Sequence, residues 1–293
     1  MGEPCMVLVV ISILASSCNE QLPGQPQVRG ADTTGISATG TILLNGNVVV
    51  IPPPSLLSHM IALESIPYDA SIPLDASHPE QWTGEMKKAL NLGVLGADLS
   101  YLINHGQSAA IPQYLASIRR LTDDLGISHE VDPELLQQIE FGLGDPSKML
   151  GLQSVFFRNL EHYLKNNNRL HISTCILLGG WAESMHHLAS PADSVAGHPL
   201  DRLLADQTYS AQGVKALAES IQEESFIEIR NSLFMLCEAL DDLEKNYTFM
   251  EPVHDQRESI TYFRSNTTVE CTDEQLVYLH SLISDTRKLI TAP

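Results

Sequence analysis

The chain is poor in positive charge, aromatic rings and cysteine chemistry, and each shortage removes a class of function. Only 17 Lys and Arg stand against 36 Asp and Glu in 293 residues, a formal net charge of −19. Such a surface repels phosphate backbones, because nucleic-acid affinity rests on Lys/Arg neutralisation. It also disfavours adsorption to anionic lipid headgroups. Phe, Trp and Tyr make up 6% of the chain, so a core drawn from the 43% of apolar residues must be built mainly of Leu, Ile, Val, Met and Ala. A large β-sandwich would need more aromatic and β-branched residues. Cys5, Cys18, Cys175, Cys237 and Cys271 form no Cys-x-x-Cys pair, which argues against a zinc knuckle or a disulfide framework. Cys175 and Cys237 lie in apolar helical stretches and read as small core residues. The Gly-x-Ser-x-Gly, Ser-x-x-Lys, His-Glu-x-x-His and Walker-type signatures are all missing.

What the chain does have begins with Met6 to Leu14, an apolar run. It is too short to span a bilayer, for which about 20 residues are needed, and it fits the apolar region of a signal peptide. Ala15, Ser16 and Ser17 lead to Cys18, a pattern that resembles a bacterial lipobox. That resemblance implies cleavage before Cys18 and lipidation of its thiol. Residues 1–5 hold no Lys or Arg, a departure from the usual positive start. Residues 1–18 are thus expected to be a signal peptide and 19–50, rich in Gly, Thr, Gln and Pro, a flexible tether. Inside the tether, Asn45-Gly46 between two apolar runs is a hairpin signal, although an extended lead-in is the favoured reading.

From Pro52 onward the pattern is helical. Helices are expected near 55–63, 82–104 and 107–125, with Gly126 as a stop, and from Asp132-Pro133-Glu134 to the glycines at 142–144. More follow from Asp145-Pro146 to about Lys165, over 169–189, along the long periodic stretch 209–245, and from a Thr272 cap to Ile290. With no βαβ alternation, the expected fold is an all-α multi-helix bundle of antiparallel hairpins over residues 51–293. Leu92 to Tyr101 and Leu177 to His186 look alike when Ala97-Asp98 is set on Ala182-Glu183. This points to two related helical units, 51–145 and 146–293, whose helical glycines imply close backbone approach to a neighbour.

Ile51-Pro52-Pro53-Pro54, the run from Lys88 to Tyr101, Leu125-Gly126-Ile127 and Gly179-Gly180-Trp181-Ala182-Glu183 carry a family resemblance. In these the chain is similar to a group of uncharacterised helical lipoproteins of Bacteroidota. The resemblance implies export, a lipid anchor and a helical fold, and it implies no activity.

Four side chains are candidates for chemistry: Asp98, Glu183, His186 and His187. Glu183 lies three residues before His186 and four before His187, so all three share a helix face. Glu-x-x-His is the spacing of di-iron bundles, which need a second copy and two further carboxylates. The other match, Glu251-Pro252-Val253-His254, is expected in a loop. Glu183 and His187 are the candidate metal ligands, against a helix-end His pair favoured by the macrodipole. Asp98 interrupts an apolar helix; it faces a ligand cavity opposite Glu183, with Tyr101 and Trp181 in its walls, or lies on the helix's exposed edge, or is bonded to a nearby Tyr or Arg. No cofactor is implied. The composition and pattern lead to two expectations. One is a lipid-anchored binding or assembly module of the cell envelope, at the outer membrane, for a protein, peptide or small ligand. The other is an envelope enzyme using the acid/His residues.

Overall fold

The computed structural model describes residues 41–44, 47–128, 138, 146–190, 199–255 and 260–293. The chain is predominantly α-helical, as expected. The predicted signal peptide with Cys18, the helix from Asp132 and the loop at 191–198 lie outside the described residues. Contacts divide the chain into two compact units. The larger spans Thr33–Asp242 and Cys271–Pro293, and the smaller contains Leu243–Glu270.

The larger unit opens with a short antiparallel hairpin, β1 (Thr41–Leu44) and β2 (Asn47–Val50), where the extended lead-in was favoured. Asn45-Gly46 lie outside the described residues. Helices α1 (Pro54–Leu63), α2 (Glu85–Asn104), α3 (Ile111–Asp124), α4 (Pro146–Asn166) and α5 (Leu170–Ala189) follow. After them come α6 (Pro199–Ala205), α7 (Thr208–Ser220), α8 (Ile227–Asp241) and α9 (Asp273–Thr291). Among the described residues, no helix is long and apolar enough to cross a membrane.

The core is organised around α2 and α5. Helix α2 is buried on every side from Ala89 to Ile103, and α5 nearly so from Ile172 to Leu188. A helix without a polar face can only be stable in the middle of a bundle. The two pack on each other more extensively than any other helix pair, through the expected glycines. A Cβ on Gly93 would run into the Ile176 carbonyl and the Gly180 amide, and one on Gly179 into the Leu90 carbonyl. Contacts climb together along both helices, from Leu90 and Gly179 to Asp98 and His187, so the pair runs in the same direction. Consequently the Asp98 and Glu183 positions of the two similar segments come together in space.

Around this pair, α1 and α3 cover α2, while α4, α6, α7 and α9 lie on α5 and α8 bridges α7 and α9. Local signals set the boundaries. Gly126 ends α3 with φ +67°, its N–H and that of Ile127 returning to Asp123 and Thr122. Thr272 and Gln275 close a reciprocal capping box on α9. At its other end, Trp82 Nε1 donates to the Thr291 carbonyl at 2.9 Å and Asn91 Nδ2 to Ile290 at 2.9 Å. Lys87 Nζ joins them, pairing with carbonyls that a helix C-terminus leaves open. The long periodic stretch from 209 is interrupted: α7 ends at Ser220, and a 3₁₀ turn over Glu224–Phe226 starts α8.

The smaller unit contains a two-stranded antiparallel ribbon, β3 (Glu244–Asp255) and β4 (Ile260–Glu270). Glu251 to His254, expected in a loop, belong to β3. Pro252 falls at a register shift between Met250 and Val253, where its missing N–H costs no ladder bond.

Candidate functional sites

Asp98, Glu183, His186 and His187 were selected from sequence, and the fold brings the first, second and fourth into one cluster. Each of these three offers a ligand atom within 4.8 Å of the others. His187 Nε2 lies 2.8 Å from Asp98 Oδ1 and 3.7 Å from Glu183 Oε1. His186, a neighbour on α5, turns toward Ser190, whose hydroxyl lies 3.0 Å from Nδ1.

The fourth charged member is Arg287 on α9, which the sequence reading passed over. Its guanidinium grips Glu183 with Nε 2.8 Å from Oε2 and Nη2 2.8 Å from Oε1, and Nη2 also donates to the Ile72 carbonyl at 3.1 Å. This two-pronged pairing supplies the cation that two buried carboxylates demand. A metal held there would have to share carboxylate oxygens that already accept hydrogen bonds. Here Glu183 already spends both oxygens on Arg287, and Asp98 spends one on His187 and the other on the Leu74 N–H at 2.9 Å.

The cluster is sealed by the segment between α1 and the 3₁₀ turn at Pro79–Gln81. That segment is held by its main chain. Tyr114 donates to the Leu74 carbonyl, Ser117 to Ala76 at 2.6 Å, and the Asp69 N–H donates to Tyr101 Oη at 3.2 Å. Ile72 and Ala76 are buried beneath it. Asp98 and Glu183 are both 0% exposed. Neither lines the cavities beside α4 or the one at Thr83–Leu90.

Burial dominates the electrostatics. It pushes the Asp98 carboxyl up to about 7, against the pull of the Leu74 N–H and Arg287. Burial and the negative charge of Asp98 also raise Glu183, which Arg287 opposes. Burial draws His186 and His187 each down to about 4. It likewise draws on Arg287, but the bonds and charge of Glu183 more than offset this and leave the guanidinium above its ordinary value. The arrangement is a two-pronged Arg287–Glu183 pair beside an Asp98–His187 hydrogen bond. Tyr101 stacks against His187 with ring centroids 4.9 Å apart, and Trp181 donates to Ser210 Oγ at 3.1 Å. Both aromatics are core residues.

An open site lies elsewhere. Helix α4 packs on the α2–α5 pair through Gln153 and Phe157, and beside this contact lies a cavity of about 130 Å³. Gly93, Gly96 and Gly180 line it as bare backbone, and Phe157, Leu160, Leu164, Ile176 and Leu177 supply its apolar surface. Pro53 and Pro54, where the chain arrives from the β1–β2 hairpin, stand at its edge. Ser100 and Gln153 satisfy each other at 3.0 Å, and Gln153 Nε2 donates to the Gly96 carbonyl at 2.6 Å. Arg158 and Glu161 complete the lining. The glycine pattern indicated close helix contact, but nothing in the sequence indicated that α4 would leave a gap beside it.

In comparisons with protein-family models, with curated proteins and with solved structures, nothing matches the chain.

Proposed function

We propose that this is an exported protein, anchored in the outer membrane by a lipid on Cys18, that acts as a binding module of the cell envelope and holds its ligand in the cavity between α2, α4 and α5. The observation that carries this reading is the contrast between the two sites. The acid/His cluster has the chemistry of an active site, but Asp98, Glu183 and His187 are buried and already paired. The cavity is open and mostly apolar, as small-molecule sites are. The enzyme reading would require the sealing segment to leave Asp98, Tyr101, Tyr114, Ser117 and Arg287 together.

Support for the anchor is the lipobox-like run ending at Cys18 and the Gly- and Pro-rich stretch behind it. The acidic surface fits a protein held to a membrane by its lipid rather than by charge.

Cells expressing the chain and fed an alkyne-bearing fatty acid should label it, and Cys18→Ser should abolish the label and release the protein from the membrane fraction. Protein purified from those membranes and denatured should release a small organic molecule that Ser154→Trp, at the cavity lining, no longer retains. Unlabelled parent protein would contradict the anchor, and equal ligand content in the two proteins would contradict the site.

A further inference from the structure

The cavity adjoins a second hollow, and the two share one residue. Arg158 lines both the apolar cavity and a polar depression formed by Asn159, His162, Tyr163 and Asn166 on the same helix and Asn167 just beyond it. No acid lines that depression among the described residues, in a chain where acids outnumber bases 36 to 17. Glu161, the acid that does line the cavity, already has an interaction partner, whereas Arg158 has none among the described residues. A guanidinium without a carboxylate, placed where an apolar slot meets a polar, acid-free surface, is complementary to an amphiphile with an anionic head.

The slot itself limits the other half of the ligand. Gly93, Gly96 and Gly180 contribute only backbone to its lining, with the Phe157 ring packed over Gly96 and Pro54 over Gly180. The volume of about 130 Å³ is close to that of an engineered apolar cavity which admits one benzene. It therefore encloses one narrow alkyl segment of about six carbons.

We propose that the ligand is a carboxylate of the fatty-acid class, with its alkyl chain in the apolar slot beside Phe157, Leu160 and Leu177 and its carboxylate on Arg158. The assignment rests on the binding-module reading above and adds to it the class of ligand and the residue that selects the head.

The test is calorimetric titration of the full chain carrying Cys18→Ser, so that no acyl group of its own competes. Octanoate, octan-1-ol and octylamine are compared in the parent and in Arg158→Gln, an exposed position whose replacement leaves the core intact. Octanoate should bind at least tenfold tighter than octan-1-ol, octylamine should not bind, and Arg158→Gln should bring octanoate down to the alcohol. Across unbranched carboxylates, affinity should rise about fourfold per methylene and level off near six carbons. Equal affinity for octanoate and octan-1-ol in the parent would overturn the carboxylate assignment while leaving the cavity as a binding site. If none of the three binds, both the ligand class and the binding site are wrong.

Discussion

Asp98 and His187, 89 positions apart, meet through a 2.8 Å hydrogen bond that no solvent reaches. Asn at position 98 can imitate the form in which Asp98 holds a proton. An Asn amide donates to the His187 ring and accepts from the Leu74 N–H, just as a protonated carboxyl does. Asp98→Asn should therefore cost under about 1.5 kcal/mol, whereas Asp98→Ala leaves two buried polar groups unpaired and should cost about 3 kcal/mol or more. Urea unfolding of the two variants measures the difference.

The Arg287–Glu183 pair behaves differently, since removing one member strands a buried charge. Arg287→Ala should destabilise the fold by about 3–5 kcal/mol, and Arg287→Ala combined with Glu183→Gln should recover part of it. A double-mutant cycle in thermal unfolding gives the coupling. A double variant no more stable than Arg287→Ala would show that the pair does not act as a unit.

The pH response follows from the shifts. Between pH 4 and 6.5 the unfolded chain carries a proton on His187 and none on Asp98, while the folded chain carries one on Asp98 and none on His187. The counts match, so this pair adds almost no slope to stability in that window. Asp98→Asn removes the compensation. His187, whose folded value is depressed, then contributes stability that is present above pH 6.5 and lost as pH falls toward 4. The variant should lose more stability than the parent over that window, with about one further proton taken up on unfolding. Parallel pH curves for the two proteins would contradict this assignment of the proton.

How far the sequence reached can be judged on particular residues. Asp98 stands out as a carboxylate inside an otherwise apolar helix and Glu183 by its three- and four-residue spacing to His186 and His187, while the likeness of their two segments points only to related helical units. Arg287 did not stand out: it is one basic residue on an ordinary amphipathic helix, and its role depends on α9 crossing α5, 104 residues away in sequence. The glycines announced the α2–α5 contact, since each must meet a backbone, but the gap under α4 is a property of three helices at once. The ribbon at 244–270 was hidden because Pro252 reads as a loop signal, while the strands on either side depend on each other.

The helix contact makes its own prediction. Gly93→Ala and Gly179→Ala push a methyl into main chain, which cannot rotate away, and each should cost about 2–3 kcal/mol. Gly151, on α4, has open space around it. Gly151→Ala should be stabilising by about 0.4–1 kcal/mol. Melting temperatures of the three variants separate the cases.

Ligand is expected to enter the cavity beside α4 and not the acid/His cluster. The most direct measurement is the ligand-induced melting shift with octanoate in two variants, Ser154→Trp and Asp98→Asn. Ser154→Trp should abolish the shift and Asp98→Asn should keep it. A shift that survives Ser154→Trp and disappears in Asp98→Asn would contradict this and move the binding site to the cluster.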